Sequence, residues 1–458
     1  MKKVLSLVLA LAMVASMLML VACPDITVAP GWQIGETTFD TETPVTIKFY
    51  STMGKNLIET IDPFLAQFME MYPNITVEHT QPGGYDEVRD TIKTELQVNE
   101  QPNIAYCYPD HVAMYNRSGR VITLDQFIDH EIYGLTAEQK ADFIEGFYNE
   151  GKQFGDDWMY TLPFSKSTEV LYYNKTFFEA NGLSVPTTWE EMEAVCRQIK
   201  ALVPDSTPLG YDSEANWFIT MCEQYGSDYT SASGDHYLFD NETNRSFVKM
   251  FSEWHYDGLV TTKELNGTNY TSGLFVEQKS FMSIGSSAGA THQRPDKVND
   301  AYPFDVAITT IPQVNSEEPK VISQGPSICI FKKDNPQEVV ASWLFVKYLT
   351  TTVEFQAEFS MASGYVPVIK SVGENEIYKS EFLDKANGGD YISALSAKVC
   401  LAQEAAYYTS PAFNGSSTAR DQVGLLMQKC LSTPATDVDA MIEEAFDDAV
   451  AECKYQAE

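Results

Sequence analysis

Between Val45 and Tyr106 the chain alternates short strand-like and longer helix-like segments, and this alternation constrains the fold more than any other feature. Val45-Thr46-Ile47-Lys48-Phe49-Tyr50 alternates apolar and polar residues, the period of a half-buried strand. Leu57, Ile58, Ile61, Phe64, Leu65 and Phe68 then recur at spacings of three and four, the period of an amphipathic helix, which Pro73-Asn74 stops. Ile75-Thr76-Val77-Glu78 reads as a second strand, 85–98 as a second helix and Asn103-Ile104-Ala105-Tyr106 as a third strand. Strands separated by helices argue for a largely parallel sheet with helices on its faces, the α/β class.

The pattern resumes downstream. LPFSKSTEVLYYNK (162–175) places a proline-led, hydroxyl-rich turn before the apolar strand Val170 to Tyr173. A short helix ends at Gly182, and Thr188 with Glu191 forms a capping box for a helix through Leu202. Residues 207–262 read as mainly helical, Phe281–Ile284, Val306–Ile308 and Ser327–Phe331 as strands, and Asn335 as the cap of a helix over 337–349. Gly364-Tyr365-Val366-Pro367 breaks the pattern, and the remainder to 453 reads as helices. A chain of 458 residues exceeds the size at which one core keeps growing, so two lobes are expected.

The N-terminus has Lys2 and Lys3, then no charge from Val4 to Val21, then Leu20-Val21-Ala22-Cys23. Length, position and small-residue ending fit a secretory signal over 1–22. The ending resembles the lipobox of bacterial lipoproteins, which implies a lipid on Cys23, with 23–43 as anchor and tether. The net charge of −33 argues against nucleic acid as a partner. Seven further cysteines are an odd number that cannot all pair, and several sit in apolar runs as buried thiols; any pairing stays open.

Four ordered segments resemble one family. They are LPFSKSTEVLYYNKTFFEANGL followed by VPTTWEEM, then FVEQKSFMSIGSSAG, PQEVVASWLFVKYLTTTVEFQAEF and SGYVPV. The chain from 45 to 450 is similar to extracytoplasmic solute-binding lipoproteins of ABC importers, in the maltose-binding-protein-like, sugar and glycerol-3-phosphate branch. The resemblance implies a two-lobed periplasmic-binding-protein fold of class II type, with mixed, mostly parallel sheets and a hinge. Residues 44–160 plus 322–370 would form one lobe and 161–321 plus 371–455 the other, with 162–175 as a crossing. It implies a monomer without cofactor, metal or enzymatic activity. Its partners would be a sugar, polyol or glycerol phosphate in the cleft, the permease subunits and, through the anchor, the membrane.

The resemblance also carries candidate ligand contacts: Tyr85 in the turn before the second helix, Asp110 after the third strand, Ser167 in the crossing turn, and Ser286 after FMSI. Gly325, Tyr365 and Arg420 complete the set, and Trp217 offers a ring to a pyranose. An arginine can give a bidentate, charge-assisted bond to a phosphate, while hydroxyls and an amide supply neutral donors. Lys166 decides part of the chemistry: facing the cleft it favours an anion, and facing solvent it leaves phosphate and sugar undistinguished. The tryptophans 189, 254 and 343 sit at helical spacing and read as core.

A secreted lipoprotein hydrolase is the alternative. Gly285-Ser286-Ser287-Ala288-Gly289 matches GxSxG, but Pro295 follows closely and the only later histidine is His292. Asp240-Asn241-Glu242-Thr243-Asn244 begins like a calcium loop without its glycine or distal glutamate. There is no HExxH and no GxxxxGK[ST].

Overall fold

The computed structural model describes residues 31–267, 269–387, 391–433 and 437–457. The signal segment 1–22, the lipidation candidate Cys23 and tether residues 24–30 lie outside the described residues. In chain order the strands are β1 (Val45–Tyr50), β2 (Ile75–Thr80), β3 (Ile104–Cys107), β4 (Leu162–Pro163), β5 (Ser167–Asn174) and β6 (Leu209–Tyr211). They continue as β7 (Val260–Thr262), β8 (Met282–Ser286), β9 (Val306–Thr309), β10 (Val321–Gln324), β11 (Ser327–Ile330) and β12 (Tyr407–Tyr408).

The strands form two sheets. The first has the order β2-β1-β3-β11-β4 and the second β12-β10-β5-β8-β6-β7, with β9 also on β5. β1, β2 and β3 are parallel, as strand–helix alternation requires, whereas β11 runs antiparallel to both β3 and β4. In the second sheet β5 is antiparallel to β8, β9 and β10. Both sheets are therefore mixed, because strands that return between them enter against the local direction. β6 and β7 fall inside the stretch expected to be mainly helical; three residues are too few to show a strand's alternation.

Each sheet has its own core. Helices Lys55–Met71 and Pro336–Thr351 pack on the first sheet, and Phe49, Phe68, Trp343 and Phe345 interlock there. The second core holds Trp189, Trp217, Phe251 and Trp254. Thr188 caps the helix Trp189–Leu202 through the Glu191 amide, and the Glu191 carboxylate reaches back to Thr187. Within 371–455, Val372, Tyr378 and Phe382 join the first core while Met427, Phe446 and Cys453 join the second. All seven cysteines after Cys23 are buried and unpaired thiols. Among the described residues no helix is long and apolar enough to cross a membrane.

Two segments pass from one sheet to the other side by side. β4 leads through 164–166 into β5, and β10 leads through Gly325-Pro326 into β11. Leu162 and Pro163 pair with Ile328 and Ser327 on one side, and Ser167 and Thr168 with Gln324 and Ser323 on the other. Val366, whose neighbours along the chain stay in the first core, pairs beside them, exchanging backbone bonds with Lys166 (3.1 and 2.7 Å). The Lys166 side chain faces neither cleft nor solvent. It is fully buried, ion-paired with Glu150, and donates to the Gly325 carbonyl and Ser327 Oγ, both at 3.0 Å.

Gly325 is fixed by this geometry. Its φ is +97°, and a Cβ there would lie 2.4 Å from the Ser165 carbonyl oxygen and 2.8 Å from Lys166 Cα. These are backbone atoms of the neighbouring segment and cannot yield, so Gly325→Ala is expected to lose on the order of 3 kcal/mol in denaturant unfolding. Unchanged stability would show that the crossing is not tightly packed.

Glu169, on β5 just past the crossing, is also buried. Tyr211 Oη donates to its Oε2 at 2.6 Å and Asn216 Nδ2 to its Oε1 at 2.9 Å. Burial pushes the carboxyl up to about 7, against the hydrogen bonds from Tyr211 and Asn216 and the Arg420 charge. The folded protein thus holds this proton more tightly than the unfolded chain, whose carboxyl titrates near 4.5. Its contribution is full below about pH 4.5 and is lost as pH rises through about 7. The stability difference between wild type and Glu169→Gln is therefore expected to shift by on the order of 3 kcal/mol between pH 4.5 and 8. Denaturation series at both pH values check this, and a pH-independent difference would contradict it.

Candidate functional site

A cavity of about 220 Å³ lies between the two sheets, lined from both sides and from the crossing. Its first wall follows strand ends. Tyr85 opens the helix Tyr85–Leu96 just after β2, and Arg89, one turn on, shares its face. Tyr108, Asp110 and His111 follow β3, the first as cap and the others in the helix Pro109–Asn116. Such C-terminal strand ends are where open α/β sheets bind ligands. The opposite wall comes from Ile219 and Tyr229 and from the start of the helix Ser416–Ser432, where Arg420 and Asp421 sit. Glu150, Ser323 and Gln324 close the side next to the crossing.

Arg420 is held by a polar chain. Its Nη2 donates to Asn216 Oδ1, which also accepts from Gln324 Nε2 at 3.0 Å. Asn216 Nδ2 in turn donates to Glu169 and to Gln324 Oε1 (2.8 Å). The guanidinium is thereby aimed before any solute arrives, which lowers the ordering cost of binding. Burial, with Tyr108 and Tyr365 beside it, holds the Tyr85 hydroxyl well above its usual range, so it stays a neutral donor and acceptor. Burial likewise lowers the His111 imidazole, despite Asp110, and favours its neutral form. Burial raises the Asp421 carboxyl, opposed mainly by Arg89.

Of the eight candidate contacts, Tyr85, Asp110 and Arg420 line the cavity, and Tyr365 stands behind Tyr85 in hydrogen-bonding reach. The other four do not line it. Ser167 is a buried strand residue opposite Gln324. Trp217 is a core side chain, stacked on Tyr211 at 4.8 Å and packed on Phe251 at 4.1 Å, so its ring is covered on the faces a pyranose would use. Ser286 Oγ accepts from the Ala288 amide and stabilises a turn. Gly325 is occupied by the crossing, its carbonyl bound to Lys166. Ser287, the middle residue of the GxSxG match, is buried and accepts from the Thr168 amide at 3.1 Å. Among the described residues no group of three or more His, Cys, Asp or Glu is placed to hold a metal ion.

Sequence reasoning missed Arg89, Tyr108, Glu150, Tyr229, Ser323 and Asp421. Two of them carry hydroxyls that the protein leaves without a partner. Tyr229 and Ser323 line the cavity, and the buried Tyr229 Oη and Ser323 Oγ find no hydrogen-bond partner among the described residues. Leaving a buried hydroxyl unpaired costs about 1–3 kcal/mol, which a bound polar solute would remove. Arg89 was the readable one, four residues beyond Tyr85 on the same helical face.

Residues 64–383 match the model of the bacterial extracellular solute-binding proteins. The sn-glycerol-3-phosphate-binding periplasmic protein of Rhizobium meliloti is 22% identical over 357 residues, covering 76% of this chain and 81% of that one. The multiple sugar-binding protein of Streptococcus mutans is 22% identical over 370 residues, covering 75% and 81%. Among solved structures, the GacH receptor of Streptomyces glaucescens, studied with acarbose, aligns with a TM-score of 0.70 at 17% identity, over 90% of this chain and 100% of that one. The UgpB protein of Mycobacterium tuberculosis in complex with glycerophosphocholine aligns with a TM-score of 0.71 at 17% identity, over 90% and 100%. These structural likenesses carry the two-lobed fold. With the family model matched over most of its length, the chain belongs to the bacterial extracellular solute-binding proteins.

Proposed function

We propose that the chain captures a small, neutral polyhydroxyl solute, a carbohydrate of about mono- or disaccharide size, in the cavity between its sheets. It then presents the solute to the permease subunits of an ABC importer. The observation that carries the choice of ligand is the charge of the lining. Asp86, Asp110, Glu150 and Asp421 stand against Arg89 and Arg420. Arg89 is tied to Asp86 at 2.9 Å and Asp90 at 3.0 Å, and Glu150 is neutralised from behind by Lys166. Arg420, tied to Asn216, shares the lining with Asp110 and Asp421, carboxylates that would repel a phosphate dianion. The same carboxylates accept well from sugar hydroxyls, and the Tyr85 and Tyr108 rings, 4.8 Å apart, offer apolar surface to a pyranose.

In this reading Tyr85, Asp110, Arg420 and, through Tyr85, Tyr365 orient the solute. The lobes divide at the crossing into 44–160 plus 322–370 and 161–321 plus 371–455, with 371–387 packing on the first core. Closure about the crossing segments encloses the solute. The chain works as an extracytoplasmic monomer, released from the signal 1–22 and tethered by a lipid on Cys23. The relatives named for glycerol phosphate keep a second ligand in view, and the two differ in charge.

Thermal-shift screening of the mature chain against sugars, polyols and glycerol phosphates separates them. A saccharide at 100 times its Kd is expected to add about 2.7 kcal/mol of stability. Arg420→Ala should weaken that saccharide by about 1.5–3 kcal/mol, the range for a hydrogen bond to a charged group. Stabilisation by sn-glycerol 3-phosphate alone, abolished in Arg420→Ala, would overturn the neutral-carbohydrate reading.

A further inference from the structure

We propose that Glu150 is a solute-contacting residue, with its carboxylate held from behind by Lys166 and Ser327 and its free oxygen turned to a solute hydroxyl. The proposal rests on the cavity being the solute site. No motif points to Glu150. It sits in the short turn Glu150–Lys152, sixteen residues before its lysine partner, and only the fold brings the two together.

The bonding is lopsided. Oε2 alone accepts from Lys166 Nζ and from Ser327 Oγ (2.9 Å). Lys166 completes its three donors with Gly325 and Ser327, so the cation is satisfied. An ionised carboxylate has about four lone-pair sites on two oxygens. Oε1 takes no hydrogen bond among the described residues, and Glu150, although 2% exposed, lines the cavity. The unused half of the group therefore belongs to the cavity wall. Ser323, whose hydroxyl is also unpaired, lines the same cavity, so a bound polyol has both an acceptor and a donor to meet there.

A pair kept only for stability would not need this arrangement. Well-packed apolar side chains of similar volume often hold a fold as well as a buried ion pair does. What they cannot supply is a fixed, charged acceptor at the base of a cavity. Lys166 is then a positioning residue: it holds the Glu150 carboxylate in place while its own nitrogen touches the crossing rather than the solute.

Replacing both partners tests this without leaving a lone buried charge. Glu150→Leu/Lys166→Met is titrated calorimetrically with glucose, maltose, maltotriose and sn-glycerol 3-phosphate, next to wild type, and its melting temperature is recorded. The expected result is a folded variant that melts within a few degrees of wild type and binds the best wild-type probe at least tenfold more weakly. Affinity within twofold of wild type overturns the proposal and leaves the solute reading intact. A wild type that binds none of the four probes overturns the solute reading and this proposal with it. Should the double variant fail to fold, Glu150→Gln reads the same point. Its carbonyl would stay with Lys166 and Ser327, its amide would face the cavity as a donor, and the same tenfold loss is expected; unchanged affinity overturns the proposal.

Discussion

An ammonium group shut off from water stands where the chain passes between its two sheets, and the segments around it are arranged to satisfy that charge. Lys166 has its backbone paired to Val366 and its side chain bonded to Glu150, Gly325 and Ser327. One residue thus ties the two crossing segments to Val366 and to the turn that carries Glu150. Removing a single partner from a buried pair costs about 3–5 kcal/mol, so these segments keep one arrangement. Gly325 belongs to the same constraint: only a residue without a side chain lets the second crossing segment lie against the first.

The two polar chains behind the cavity meet at this crossing. From Arg420 one runs through Asn216 to Gln324 and Glu169; from Glu150 the other runs through Lys166 to Gly325 and Ser327. Gln324 and Gly325 are neighbours on one crossing segment, so the groups that face a solute and the groups that fix the interlobe geometry are covalently adjacent. A protein of net charge −33 repels anions at long range, and the cavity does not reverse that sign locally. Field and lining both favour the neutral solute proposed above.

The parts legible in sequence were those with local periodicity. β1, β2 and the helix Lys55–Met71 alternate or repeat cleanly because one face meets the core and the other meets water. The turn and strand of 162–175 were readable from the residues, and their place as a crossing came from the family resemblance. The direction of Lys166 was not, because it depends on Glu150, Gly325 and Ser327, which are distant in the chain. Trp217 misled for a similar reason: the helix Glu214–Tyr225 is buried almost all round, so no stripe marks which ring could face a ligand. Tyr85, Asp110 and Arg420 came from the family resemblance, and each lies at or near the start of a helix. Tyr108, Glu150, Tyr229 and Ser323 come from four separate segments, and nothing but the folded geometry gathers them.

Hydrogen exchange followed by mass spectrometry, with and without a saturating saccharide, tests capture between the sheets most directly. Solute held from both walls must slow exchange together in 85–89, 108–111 and 409–421, and at the crossing residues 164–166 and 324–327. Protection confined to one wall, or appearing only on the outer surface, would contradict binding in this cavity.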